Sequence, residues 1–217
     1  MSPSLPSEKK ILSFLRAWFL IGILGFAFPF THAIFRHIIP FTILLMAMII
    51  LAYHRPINKP FMLITFMVAI LGFGIEVAGI KTGLLFGEYK YGSILGPKIA
   101  EVPIVMGLNW VVMVYGGVAI ASRTRWGIIP GSLISGLILT VSDLIIEKFA
   151  ILTGMWTWVE GVPSFRNSAG WFIISCFLSL LYYQIVKPEI RKVAIYVYIY
   201  QMILFISTIV ILTLFWQ

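Results

Sequence analysis

The chain has 217 residues, 60% of them hydrophobic and 11% charged, with a mean hydropathy of +1.01. That balance leaves no room for a sizeable soluble domain and describes an integral membrane protein. Its net charge of +8 lies in short connecting segments and not on an extended basic face, which argues against a nucleic-acid partner, and its single cysteine, Cys176, excludes an internal disulfide and a multi-cysteine metal site.

The chain opens on "MSPSLPSEKK", a polar segment (residues 1–11) containing Pro3, Pro6 and Glu8. No small-residue cleavage site follows it, so the next apolar run reads as an uncleaved span and not a signal peptide. Seven windows are apolar enough to cross a hydrocarbon core about 30 Å thick: 12–30, 38–53, 60–80, 102–122, 127–147, 169–186 and 193–216. The second is the shortest. Only helices or closed barrels satisfy every backbone group in lipid, so the fold class is all-α, a polytopic membrane protein of about seven transmembrane helices, with 1–217 as one domain.

Seven spans put the N-terminus and the loops at 54–59, 123–126 and 187–192 on one side, with Lys9, Lys10, Arg16, Arg55, Lys59, Arg123, Arg125, Lys187, Arg191 and Lys192. The opposite side carries Arg36, Lys81, Lys90, Lys98, Lys148 and Arg166. The excess on the first side predicts a cytoplasmic N-terminus and a non-cytoplasmic C-terminus. His32, His37 and His54 fall in the first two predicted loops, without metal-ligand spacing, and read as solvated. No serine or cysteine nucleophile motif and no glycine-rich phosphate loop is present.

The third span ends in "IEVAGIKTG" and the fifth in "IEKFAILTG", so I-E-x-x-x-I-x-T-G occurs at 75–83 and again at 146–154. Aromatic residues follow each copy (Phe86, Tyr89 and Tyr91; Trp156 and Trp158). Then come Val102-Pro103 and Val162-Pro163, and then a tryptophan in the returning helix, Trp110 or Trp171. This predicts a duplicated unit of helix, loop and helix, at approximately 60–122 and 127–186. Both copies run in the same direction, so the repeat is parallel, about an axis along the membrane normal.

Glu76 and Glu147 are then matched in depth, and Asp143 lies one turn before Glu147 on the same face. Small residues share their stripes: Gly72, Gly79 and Gly83 with Glu76, and Ala150 and Gly154 with the second pair. Two readings of the glycines stand, close helix packing and a slot for a slender ligand against the carboxylates. An ionisable side chain in a span costs about 2.5–3.5 kcal/mol at mid-bilayer, which makes each carboxylate a functional candidate. The competing reading is that Lys81, Lys98, Lys148 or Arg166 neutralises them at the interface. The tryptophans fit either an interfacial belt or a cavity wall that stabilises a cation through its ring faces.

The stretch "EVAGIKTGLLFGEYKYGSILGPKIAEVPIVMGLNW" (76–110), with "SDLIIEKFAILTGMWTW" (142–158) and "VPSFRNSAGWF" (162–172), resembles the membrane carotenoid hydratase family, which includes carotenoid 1,2-hydratases and bisanhydrobacterioruberin hydratase. The E-x-x-G-x-x-T-G-x-x-F-G-x-Y-x-Y and L-G-P-K blocks carry the likeness, which covers about the central half of the chain. Ser168-Ala169 departs from the tyrosine-containing form after the asparagine, so no role for that hydroxyl carries over. The resemblance implies water addition to the terminal double bond of an acyclic carotenoid, without redox change, cofactor or metal. The expected partners are a carotenoid in the bilayer, membrane lipid and other enzymes of carotenoid biosynthesis.

In this reading Asp143 and Glu147 form a coupled acid site and Glu76 is the base that orients water, with the acid and base labels open to exchange. Gly72, Gly79, Gly83, Tyr89, Tyr91, Trp110, Trp156, Trp158, Asn167 and Trp171 surround the substrate. A carotenoid end-group cyclase, a proton-coupled transporter and a non-catalytic lipid- or carotenoid-binding subunit are the alternatives.

Overall fold

The computed structural model describes residues 5–54, 56–185 and 192–215. Arg55, Lys187 and Arg191 of the charge asymmetry, Pro3 of the polar segment, and the ends of the sixth and seventh predicted windows lie outside them. Among the described residues, seven helices are long and apolar enough to cross a membrane: α1 (Glu8–Ala27), α2 (Pro29–Tyr53), α3 (Lys59–Thr82), α4 (Val105–Ala121, whose span continues through a 3-10 turn to Thr124), α5 (Ile128–Thr153), α6 (Phe165–Ile185) and α7 (Lys192–Phe215). The described chain is a multi-pass helical bundle, as its hydropathy requires.

Helix boundaries follow local chemistry. At the start of α3 the Asn58 side chain accepts the Phe61 amide at 2.9 Å, with Pro60 in the first turn, where its missing N–H costs nothing. Both copies of the T-G motif end their helices alike, with Gly83 (φ 64°) and Gly154 (φ 73°) in the left-handed conformation that glycine adopts without steric cost. Extending the second window, α2 begins at Pro29 and runs through Pro40. In a membrane helix neighbouring structure tolerates an internal proline, so the short second window was cut too narrowly.

The histidine expectation is corrected by the same extension. His32 and His37 lie in α2, not in a loop, and His32 is buried. His54 follows α2 and is also buried, stacked on Phe61 with ring centroids 3.5 Å apart and bonded through Nδ1 to the Tyr115 hydroxyl at 2.8 Å.

At the centre of the bundle is α4, with 78% of its spanning window buried, against 39% or less for every other helix. Gly107 lets it approach α3 closely: an added Cβ there would stand 2.9 Å from the Ala69 carbonyl oxygen. Phe30, Phe66 and Leu214 are among the large side chains exposed on the outside, whereas Ser135, Asp143, Ser175 and Ser179 are fully buried. This polarity is the reverse of a soluble bundle and follows from lipid being the solvent.

Four short strands cover one end. Tyr89–Tyr91 (β1) pairs antiparallel with Trp156–Trp158 (β4), and Lys98–Ile99 (β2) with Val102–Pro103 (β3). Val102 and Pro103, predicted to open the fourth span, are thus part of this cap, and α4 starts at Val105. Ala100 and Glu101 turn the β2–β3 hairpin with positive φ at both positions, the geometry that matches strand twist in a two-residue turn.

Candidate functional site

The β1–β4 pair brings the two motif copies together. Its register is Tyr89↔Trp158, Lys90↔Thr157 and Tyr91↔Trp156, symmetric about its middle rung. Alternate residues of a strand share one face, so Tyr89, Tyr91, Trp156 and Trp158 all turn inward and are buried. Trp110 of α4 stacks on Trp171 of α6 with centroids 4.5 Å apart and planes 19° from parallel. These four tryptophans are therefore interior wall residues and not an interfacial belt.

Each glutamate sits in a nest of donors from its own half. Glu76 Oε2 accepts the hydroxyls of Tyr89 (2.6 Å) and Tyr91 (2.8 Å), and Oε1 accepts the Trp110 indole N–H (2.9 Å). Glu147 Oε2 accepts the indole N–H groups of Trp156 (2.9 Å) and Trp158 (2.7 Å). The Asn167 amide donates to Asp143 Oδ2 at 2.6 Å and more weakly to Glu147 Oε1 at 3.3 Å. Asp143 Oδ1 is fully buried and has no hydrogen-bond partner. Burial first, and the Glu76 carboxylate second, push the phenols of Tyr89 and Tyr91 above their ordinary range, which keeps them protonated as donors.

No cation reaches these carboxylates among the described residues. Lys81 pairs instead with Glu101 at 3.3 Å on the exposed side of the cap, and Lys98 donates to the Tyr91 carbonyl. Three carboxyl groups are thus held in the interior by neutral donors alone.

The glycine stripe makes room for protein rings. A Cβ on Gly72 would meet the Trp110 ring at 2.5 Å, and one on Gly79 would meet Phe86 at 2.6 Å. Gly83 closes the helix. Gly72 and Gly79 therefore position the rings around Glu76, and the space beside them is already filled by side chains.

Open space lies between the two nests. Glu76, Glu147, Tyr89, Tyr91, Asn167 and Trp171 are among the residues around a cavity of about 20 Å³, room for about one water molecule. On one side, sharing Met106 and Trp156 with it, is an apolar cavity of about 210 Å³ among α1, α2, α4, α5 and α7. That cavity reaches the outside of the bundle at Ile21, which is 57% exposed. On the other side, sharing Trp158, is a wide polar depression with Glu88, Glu160, Ser164 and Arg166 on its walls.

Glu76, Asp143, Glu147, Tyr89, Tyr91, Trp110, Trp156, Trp158, Asn167 and Trp171, all anticipated from the sequence, meet at this one place. The apolar cavity was not anticipated. Its walls come mostly from α1, α2 and α7, which carry no motif, and the only advance signal was the position of Met106 between the L-G-P-K block and Trp110.

The family model described as carotenoid biosynthesis protein matches residues 37–217. The bisanhydrobacterioruberin hydratase of Haloarcula japonica is 30% identical over 125 residues, covering 51% of this chain and 40% of the relative, so well under half of that protein's length is represented. No solved structure matches. With most of its length matched by the family model, including every residue of the carboxylate site, the chain belongs to the carotenoid biosynthesis protein family.

Proposed function

We propose that this chain is a carotenoid-modifying enzyme that adds water to the terminal double bond of an acyclic carotenoid. The observation that carries the reading is the water-sized cavity walled by Glu76 and Glu147, which adjoins, across the shared side chains of Met106 and Trp156, an apolar cavity that reaches the outside of the bundle. The name of the Haloarcula relative supports the same reaction class.

In the proposed chemistry the end group enters from the apolar side. The Asp143–Glu147 pair, joined by Asn167, delivers a proton to the less substituted carbon through Glu147, which lines the cavity, with the fully buried Asp143 as its partner. The positive charge then rests on the dimethyl-substituted carbon, where the faces of Tyr89, Tyr91, Trp156 and Trp158 stabilise it. Glu76 takes a proton from the water as its oxygen bonds to that carbon. The product is a tertiary alcohol, and return of the proton from Glu76 to the acid pair restores the site without any change of oxidation state. The interior position of the nests suits a substrate that never leaves the bilayer. The charge asymmetry of the loops supports a cytoplasmic N-terminus, with the site near the non-cytoplasmic face.

Expression in a host that accumulates acyclic carotenoids, followed by mass analysis of the pigments, tests the proposal. The expected result is a gain of one water mass per modified end. Products of unchanged mass with new rings would replace hydration by cyclisation, which begins with a similar protonation but must keep water out. Unchanged pigments across several acyclic substrates would overturn both.

A further inference from the structure

Each turnover of the proposed hydration uses up the water in the reaction cavity: its oxygen and one hydrogen leave in the alcohol, and its other hydrogen passes to Glu76. A cavity of about 20 Å³ stores about one water, so it must be refilled every time. The apolar cavity is a poor source, because its walls are mostly Phe, Ile, Leu, Met and Trp, apolar cavities stay dry, and the substrate end fills this one when water is needed. The opposite side is wet. There the polar depression has a volume of about 710 Å³, and Glu88, Glu160 and Arg166 on its walls are all exposed.

The partition between the two spaces is a single ring thick. Phe86 is buried and lines the reaction cavity, whereas the next residue, Gly87, lines the depression. Trp158 lines both. Its indole N–H donates to Glu147 Oε2 on the cavity side, and the far edge of its ring, Cζ3, would stand 3.4 Å from a Cβ placed on Gly87. Ser164 Oγ would stand 3.0 Å from the same Cβ, and it donates to the Phe86 carbonyl at 3.0 Å. With the Val159 N–H on the Glu88 carbonyl at 3.0 Å, that bond holds residues 86–88 against the Trp158 segment. Gly87 has φ 102°, a conformation open to glycine at little cost, and its missing side chain keeps the partition thin. Resting on the hydration reading, we propose that the depression is the water entrance of the site, with Gly87 and Ser164 as its throat and the Trp158 ring as the partition that water passes. A tilt of that ring about the line from its Cβ to Nε1 moves the Cζ3 edge out of the throat and keeps the hydrogen bond to Glu147.

Plugging the throat tests the entrance. Purified Cys176→Ala, Ser164→Cys protein in lipid nanodiscs is modified at the new thiol with methyl or benzyl methanethiosulfonate. The methyl adduct is expected to leave kcat within about 2-fold, and the benzyl adduct to lower kcat for an acyclic carotenoid about 10-fold or more at unchanged KM, with recovery when dithiothreitol removes it. A second readout needs no turnover. The Trp156 indole N–H, which donates to Glu147 inside the reaction cavity, exchanges with D2O as water enters, and in protein carrying 15N-tryptophan the benzyl adduct is expected to slow that exchange about 10-fold or more. Equal exchange rates with the two adducts overturn the entrance, and so does a benzyl effect confined to KM, which would place the adduct in the path of the carotenoid. If no form hydrates any acyclic carotenoid, the hydration reading fails and the exchange rates alone decide the entrance. Glu160→Cys, also on the wall of the depression, takes the place of Ser164→Cys should that variant not fold.

Discussion

The two halves of the site share a plan and differ in chemistry. In each, a glutamate near the end of a helix accepts two side chains from the next strand and a third from the returning helix. For Glu76 the strand donors are phenols and the third is an indole, while for Glu147 the strand donors are indoles and the third is an amide. One turn before Glu147 stands Asp143, and one turn before Glu76 stands Gly72, whose space is occupied by the Trp110 ring. The first half therefore holds one carboxylate with all its donors supplied, and the second holds two carboxyl groups sharing one amide. The two motif copies share a symmetric strand register and matching glycine caps. In the proposed reaction their divergence would separate a place to receive a proton from a place to store one.

Removing a charge from either half is expected to have the largest effect. Glu76→Gln, Asp143→Asn and Glu147→Gln should each lower hydration about 10²- to 10⁴-fold at equal protein level in membranes. Changing positions 143 and 147 together should be little worse than the stronger single change, because groups acting as a unit are not additive. Near-wild-type hydration by Glu76→Gln would sink its assignment as base.

Gly72→Ala tests the divergence itself. Its Cβ would force Trp110 to shift, at a cost of about 1–3 kcal/mol for overpacking, and would take the indole N–H away from Glu76. The expected outcome is a lower melting temperature together with about a 10-fold loss of turnover, the size of one charge-assisted hydrogen bond. Full turnover in a protein that has lost stability would show that the third donor is dispensable.

The smallest effect is expected at Lys81, the cation nearest in sequence to Glu76. Its partner is the exposed Glu101, so Lys81→Ala should leave turnover unchanged and cost less than about 1 kcal/mol of stability. A large loss of activity would revive the view that Glu76 anchors a helix end through this lysine.

Much of the carboxylate site was legible because its signals are local. Glu76, Asp143 and Glu147 stand out as charges inside apolar windows, and the repeated I-E-x-x-x-I-x-T-G places them at helix ends closed by glycine. The alternation in Tyr-x-Tyr and Trp-x-Trp puts four aromatics on common faces. The glycines were ambiguous, since missing side chains describe a slot and a close packing surface equally well until the neighbouring helix is in place. His54 was misread for a similar reason: its burial depends on Phe61 and Tyr115, which packing brings to it.

The sequence by itself determined the membrane class, the seven spans, the carboxylates and their aromatic company, because hydropathy and the cost of a charge in lipid act over a few residues of one chain segment. Tertiary structure alone decided that β1 pairs with β4, that Asn167 bridges Asp143 and Glu147, that Trp110 fills the notch at Gly72, and that α1, α2 and α7 wall an apolar cavity. Those features depend on shape and donor–acceptor matching between segments distant in the chain, and no single segment encodes which surface it will meet.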